Sequence, residues 1–108
     1  MTIMRSLVVA TGICLLGPAG AMAQSFDCGG NLTHTEAAIC DNPDLGTLDE
    51  QVAQRYYEII GAVNSAERRR IRSEQKAWLR GRDTCGADVA CLTDMYTARR
   101  DELYAYGD

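Results

Sequence analysis

The chain has 108 residues, of which 46% are hydrophobic and 24% are charged, and it contains two prolines. This composition is typical of one small globular domain, so it excludes collagenous, mucin-like and low-complexity proteins, and the length excludes a multidomain enzyme. The formal net charge is −4, and an acidic domain of this size is a poor candidate for nucleic-acid binding.

The N-terminal segment has the pattern of a secretory signal peptide. Arg5 precedes an uncharged run over residues 7–16, which is too short to span a bilayer with ordinary flanks. The small residues at positions 21–23 form an A-x-A site, which predicts cleavage before Gln24. We therefore expect residues 1–23 to be removed as a signal peptide and the protein to be periplasmic or secreted.

The predicted mature domain covers residues 24–108. It has 10 basic and 15 acidic residues, and thus a net charge of −5. No stretch of it is apolar enough to cross a membrane, so we expect no stable membrane insertion after signal removal. Lipidation of Cys14 is the alternative, but this cysteine lies within the hydrophobic run and follows the bulky Ile13, whereas lipoprotein processing requires a small residue there.

Four cysteines remain in the mature domain: Cys28, Cys40, Cys85 and Cys91. An even number in a small exported chain favours two disulfides over free thiols. The spacing lacks the close pairs of a zinc site and the C-x-x-C of a redox site, so we predict no metal and no cofactor. Three pairings are possible. We favour Cys28 with Cys40 and Cys85 with Cys91, because the second pair flanks a tight turn between helices.

Two helices are predicted in the first half of this domain. Thr33 and Glu36 form a capping box that starts a short first helix. Asn42 can cap a second helix that has Pro43 in its first turn and continues to about residue 63. The apolar stripe of the second helix is Leu45, Leu48, Val52, Tyr56, Ile59 and Val63.

Two further helices are predicted in the second half. The third follows an Asn64 or Ser65 cap and is mostly polar. Its inward stripe is Ile71, Gln75 and Trp78. Gly86 suits the left-handed position that ends this helix, and Asp88 can cap a fourth. No segment alternates like a strand, so we predict an all-α fold of about four helices, one of them short, stapled by two disulfides.

Charge is divided unevenly between the second and third helices. Residues 67–83 hold seven basic against three acidic side chains, whereas residues 41–63 hold five acidic side chains against Arg55. The simplest interpretation places the two helices side by side with solvated or loosely paired charges, each exposed pair contributing less than about 1 kcal/mol. The alternative is that the basic helix is a docking surface for an anionic partner such as a cell-wall polymer.

The sequence has no clear catalytic constellation. His34 is the only histidine, and its place in the first turn of a short helix favours an exposed residue over a general base. The adjacent carboxylates Asp49 with Glu50, and Asp101 with Glu102, point in different directions on a helix, which argues against a shared-proton dyad. We therefore predict a binding protein and not an enzyme. A small thiol enzyme is an alternative that free cysteines would support.

Several short motifs occur in an order that matches a known family. They are Phe26-Asp27-Cys28, Glu36, Ile39-Cys40, Leu45, Leu48-Asp49, Tyr56-Tyr57, Gln75, Trp78-Leu79, Arg82-Asp83, Cys85, Cys91-Leu92, Tyr96 and Arg99. With these motifs the mature chain resembles the LprI-type lysozyme inhibitor family, which implies an exported bacterial domain that inhibits lysozyme. The family signature, structural or binding, falls here on Asp49, Tyr57, Gln75, Trp78, Arg82 and Asp83. Within it we expect Arg82 to form a bidentate pair with Asp49 that fixes the helix register.

The functional expectation is an inhibitor of lysozyme or a related glycan hydrolase, with no nucleic-acid partner. Animal lysozymes are usually strongly basic and work through two carboxylates in a cleft, so an acidic protein that covers the cleft would be steered towards it. The predicted contacts are the acidic Asp44, Glu50, Asp94, Asp101 and Glu102, and the basic Arg80, which could enter the cleft. The alternative is an envelope binding or assembly module that recognises a protein or peptidoglycan without inhibiting an enzyme.

Overall fold

The computed structural model describes residues 25–107 and contains four α-helices over this range. They are α1 (His34–Asp41), α2 (Pro43–Ala62), α3 (Ser65–Asp83) and α4 (Val89–Ala105). No strand occurs within the described range, so the predicted all-α class with one short helix is confirmed. The predicted signal peptide over residues 1–23, with Cys14 and the cleavage site before Gln24, lies outside the described residues.

The first two helices begin at the caps that the sequence predicts. The backbone N–H of Glu36 donates to Thr33 Oγ1 at 3.1 Å, and the N–H of Thr33 donates to Glu36 Oε1 at 3.0 Å, which completes the capping box of α1. Asn42 Oδ1 accepts from the N–H groups of Asp44 and Leu45, and Pro43 opens α2 without losing a hydrogen bond. Only one residue therefore separates α1 from α2.

The last two helices are also capped by side chains. Asn64, not Ser65, caps α3 by accepting from the N–H of Glu67 at 2.9 Å. Gly86 has a φ of 60° and so occupies the left-handed position that few other residues adopt without strain. Asp88 then caps α4 by accepting from the N–H of Cys91 at 3.1 Å. The turn between α3 and α4 is consequently short and fixed at both ends.

Two disulfides have the favoured local pairing. Cys28 bonds to Cys40, which ties the irregular segment before α1 (residues 25–33, the lead-in segment) to α1. Cys85 bonds to Cys91, which closes the turn between α3 and α4. The hydroxyl of Thr35 in α1 donates to the carbonyl of Gly86 at 2.9 Å, so the two disulfide-bonded regions are in contact. These links hold one end of the helix bundle together.

The apolar core lies mainly between α2, α4 and α1. Helix α2 makes its most extensive contact with α4 and its next with α1, whereas α3 packs less closely on both α2 and α4. The buried apolar residues are Ile39, Leu45, Val52, Ile59, Ile60, Ile71, Leu92, Tyr96 and Leu103. On α3 only Ile71 belongs to this set, and the other buried side chains of that helix are Gln75 and Arg82. The inner face of α3 is therefore largely polar.

Candidate functional site

A chain of buried polar groups connects α2, α4 and α3. The Tyr96 hydroxyl donates to Asp49 Oδ1 at 2.7 Å and accepts from Arg82 Nη1 at 3.1 Å. All three side chains are buried. The expected direct pair between Arg82 and Asp49 is wrong, because the Tyr96 phenol lies between them and Arg82 Nε and Nη2 instead bind Asp83 Oδ1 at 3.0 and 2.8 Å.

The Asp49 carboxylate is also bound by the lead-in segment. The backbone N–H of Ser25 donates to Oδ2 at 2.7 Å, and its hydroxyl donates to Oδ1 at 3.1 Å. Burial, reinforced by the Asp49 charge, raises the pKa of the Tyr96 hydroxyl well above its usual range, so the tyrosine keeps its proton at neutral pH. With three donors, the buried carboxylate is well compensated.

A second polar contact joins α3 to α4 beside this chain. Arg99 Nε donates to Gln75 Oε1 at 3.0 Å, and Arg99 Nη1 donates to Glu102 Oε1 at 3.1 Å. Both Arg99 and Gln75 are buried. The contact fixes which way the Gln75 amide faces, since a guanidinium can only donate hydrogen bonds and thus requires the amide oxygen on the α4 side.

A groove of about 460 Å³ lies between α2 and α3. Its lining residues are Ser25, Asp49, Val52, Ala53, Tyr56, Tyr57, Ile60, Arg72, Gln75, Lys76, Trp78 and Leu79. The Trp78 ring makes an edge contact with the buried Tyr96 ring at 4.9 Å between centroids, so it packs on the core and also borders the groove. The Tyr57 side chain is 64% exposed and makes an edge contact with Tyr56.

Positive charge borders the α3 side of this groove. Arg72 and Lys76 are exposed and form no ion pair within residues 25–107. By contrast, Arg70 on the same helix pairs with Glu67 and Glu74. Asp49 is the one acidic residue among the described groove-lining residues, and its oxygens are already hydrogen-bonded. The groove thus offers apolar and aromatic walls with uncompensated cations at one edge.

Comparison of the sequence with known proteins identifies the family of this chain. The sequence model described as "Lysozyme inhibitor LprI" matches residues 28–103. The chain belongs to this family. It is similar to the proteins named "Lipoprotein LprI" of Mycobacterium bovis and of two Mycobacterium tuberculosis strains, at 26% identity over 83 residues in each case. The match covers 74% of this chain but 41% of the relatives, so the chain spans about two fifths of their length. No solved structure matches it.

In this LprI-family chain, the signature residues separate into two groups. Asp49, Tyr57, Gln75 and Trp78 line the groove, whereas Arg82 and Asp83 do not and instead pair with each other at the end of α3. The tyrosine hydroxyl that connects the two groups is the part that sequence patterns miss. A tyrosine on an apolar stripe indicates a buried hydroxyl that needs a partner, but the partner cannot be chosen before the helices are placed.

The predicted lysozyme contacts lie elsewhere on the LprI-family domain. All six are exposed, and none of them lines the groove. Asp44 and Glu50 lie on α2, Arg80 lies on α3, and the other three lie on α4. On α4, Asp101 pairs with Arg100 and Glu102 pairs with Arg99, while Asp94 forms no ion pair within the described range. The structure therefore does not gather these residues into one site.

The described part of the LprI-family chain offers neither a metal site nor a membrane-spanning helix. Residues 25–107 contain no group of three or more His, Cys, Asp and Glu side chains placed to hold a metal ion. None of the four helices is long and apolar enough to cross a bilayer. His34 is exposed on α1 and does not border the groove.

Proposed function

We propose that this protein is an exported inhibitor of lysozyme or a related glycan hydrolase. The observation that carries the proposal is the family match, which spans residues 28–103 and so includes all of α1, α2 and α3 and nearly all of α4. The family is named for inhibition of an enzyme and not for catalysis. An inhibitor of this kind needs a stable surface that fits its target, and it performs no chemistry on the target.

An extracytoplasmic location is part of the proposal. Two disulfides are typical of proteins that fold in an oxidising compartment, and a domain of this size gains much of its stability from such cross-links. The predicted signal peptide over residues 1–23 and the mature domain over residues 24–108 agree with this location. We propose that the mature protein acts in the periplasm or outside the cell.

Charge supports recognition of a basic enzyme. The predicted mature domain has a net charge of −5, which favours encounter with a cation and raises the association rate at low ionic strength. Asp44, Glu50 and Asp94 are exposed without an ion pair in the described range, so they should contribute more to this attraction than Asp101 and Glu102, which are paired with arginines. We propose the unpaired acids as the steering residues.

A lysis assay tests the proposal. The oxidised, exported protein is added at micromolar concentration to lysozyme acting on a bacterial cell-wall suspension at low ionic strength, and lysis should slow. Raising the ionic strength from about 0.01 to 0.15 M shortens the Debye length from about 30 to 8 Å, so inhibition should weaken. Unchanged lysis at low ionic strength would contradict the inhibitor function for the enzymes tested and favour a non-inhibitory envelope binding module.

Charge variants test the steering residues separately. The triple variant Asp44→Asn, Glu50→Gln and Asp94→Asn should lower the association rate with lysozyme several-fold at low salt while changing the dissociation rate little. The matched control is Asp101→Asn, which removes an acid that is already paired with Arg100. Equal effects of one control substitution and the triple variant would contradict this choice of residues.

A further inference from the structure

The lining of the groove includes a hydrogen-bond donor that no residue of the described range 25–107 uses. Gln75 is 9% exposed and lines the groove, and its Oε1 accepts from Arg99 Nε on the α4 side. Its amide nitrogen therefore faces away from α4, and it has no partner within residues 25–107. Within the described range, Arg99 Nη2 is the side-chain nitrogen that is both fully enclosed and without a hydrogen-bond partner. The Gln75 amide nitrogen also has no partner there but is not fully enclosed, so it is accessible from open space. The open space beside Gln75 is the groove.

Two cations flank this donor on the same helix. Arg72 precedes Gln75 by one helical turn and Lys76 follows it directly, and both line the groove without an ion pair in the described range. Buried or half-buried donors next to uncompensated cations form a good environment for a carboxylate, since charge-assisted hydrogen bonds are stronger than neutral ones. The α3 wall thus presents donors and positive charge together.

Aromatic side chains lie on both walls of the groove. Tyr56 and Tyr57 pack edge to face with 5.2 Å between ring centroids, and Trp78 borders the groove from α3. Aromatic side chains combine an apolar face with a polar handle, which suits the apolar face and the hydroxyl edge of a pyranose ring. Both walls are helices whose backbone groups are already hydrogen-bonded, so an extended peptide would find no main-chain partners there.

We propose that the groove between α2 and α3 binds a carboxylate-bearing saccharide of about two ring units. The carboxylate would lie against Arg72 and Lys76, an amide or hydroxyl oxygen of the sugar would accept from Gln75, and a ring face would stack on Tyr57. A volume of about 460 Å³ fits a small ligand, whereas a protein partner usually requires about 800 Å² of surface on each side. This site goes beyond inhibition of an enzyme, because the predicted lysozyme contacts lie outside the groove.

Two spectroscopic probes test the proposal in the oxidised, exported protein. Trp78 is the only tryptophan of the chain, so intrinsic tryptophan fluorescence reports on the groove directly. The side-chain amide of Gln75 gives its own signals in nitrogen-15 correlation spectra. Titration with the disaccharide of N-acetylglucosamine and N-acetylmuramic acid should shift both signals with saturation. The neutral disaccharide of N-acetylglucosamine should bind at least about tenfold more weakly, since it lacks the carboxylate.

Matched variants locate the site. Gln75→Glu keeps an oxygen for Arg99 but places an acceptor where the groove needs a donor, so affinity for the acidic disaccharide should fall about tenfold or more. Arg72→Gln and Lys76→Gln should each weaken binding several-fold. The control is Arg69→Gln, which removes an exposed arginine of α3 that does not line the groove. Thermal unfolding of each variant checks that the fold is retained.

Four outcomes would overturn the site. They are the absence of any shift at millimolar disaccharide, equal binding of acidic and neutral disaccharides, an equal loss in Arg69→Gln and Arg72→Gln, and binding of an acidic tetrapeptide where the disaccharide fails. The last outcome would identify a protein-docking groove. Lysozyme inhibition is measured in a separate assay, so it can fail or succeed independently of saccharide binding.

Discussion

At the scale of single residues, the tyrosine hydroxyl of α4 decides how the polar side chains of this protein are arranged. Sequence patterns place Asp49 and Arg82 on neighbouring helices and suggest a direct pair, but the geometry inserts Tyr96 between them. The ring supplies apolar area to the core while the hydroxyl joins two charged groups. Such a bridge depends on the position of a third helix, which helical periodicity alone cannot give.

Removal of this hydroxyl should be costly. Tyr96→Phe leaves Asp49 with one donor fewer and Arg82 Nη1 without its acceptor in a buried place, so the free energy of unfolding should fall by about 2 to 3 kcal/mol. Urea unfolding followed by circular dichroism measures the change. The control is Tyr104→Phe, at a tyrosine that is 48% exposed, where we expect almost no change. Equal stability of the two variants would contradict the bridging role.

A carboxylate of α3 should show an unusually acidic titration. Hydrogen bonds from Arg70 and from the Tyr106 hydroxyl lower the pKa of Glu67 from 4.5 to about 2. Because the folded-state pKa is depressed, the stabilisation from this group is present above pH 4.5, declines below it, and is lost as the pH falls through 2. Tyr106→Phe should raise the pKa of Glu67 towards 4.5 in a carbon-13 NMR titration, while Tyr57→Phe should leave it unchanged. An unaltered pKa in Tyr106→Phe would exclude the contact.

At the scale of helices, the sequence predicts the boundaries well because the capping signals are local. Thr33, Asn42 and Asp88 each cap the helix expected of them. Gly86 has the expected left-handed conformation, but α3 already ends at Asp83, so Gly86 lies in the turn that follows and does not end the helix. The groove could not be predicted in the same way. The groove arises because the inner face of α3 is largely polar and α3 packs less closely on its neighbours than α2 packs on α4. The distance between two helices depends on tertiary packing, which local sequence patterns do not give.

The turn between α3 and α4 should depend on its disulfide. In the chain-entropy description, a bridge that closes so short a loop contributes about 2 kcal/mol, so the double variant Cys85→Ala and Cys91→Ala should lose about that much stability. Chemical denaturation measures the loss, with the double variant Cys28→Ala and Cys40→Ala as the comparison. Non-reduced peptide mapping should recover both local bridges. A link between Cys40 and Cys85 would contradict the pairing.

At the scale of the whole molecule, composition and charge predict the compartment in which the protein acts better than they predict which surface binds a partner. Two disulfides, a predicted signal peptide and a net charge of −4 for the full chain are the features expected of the exported acidic domain that we propose this LprI-family chain to be. The same features do not select a binding face. Four signature residues line the groove, while the acids proposed to steer an enzyme are spread over α2 and α4, so two faces with different partners fit the molecule.

Processing of the chain has a simple test. Cleavage before Gln24 should give an exported protein that lacks residues 1–23 and retains both disulfides, and the intact mass of the purified protein measures this directly. A mass that includes Met1, or one that carries acyl chains on Cys14, would contradict the predicted mature domain.

The most direct test of the inhibitor function is lysozyme hydrolysis of a soluble, neutral oligosaccharide of N-acetylglucosamine. This substrate separates inhibition of the enzyme from protection of a cell wall by a protein that coats it. We predict that hydrolysis slows as the oxidised protein is added until the enzyme is saturated, and that Arg72→Gln inhibits as well as the natural sequence. Slower lysis of cell walls with unchanged hydrolysis of the soluble substrate would contradict inhibition and leave only a wall-binding protein.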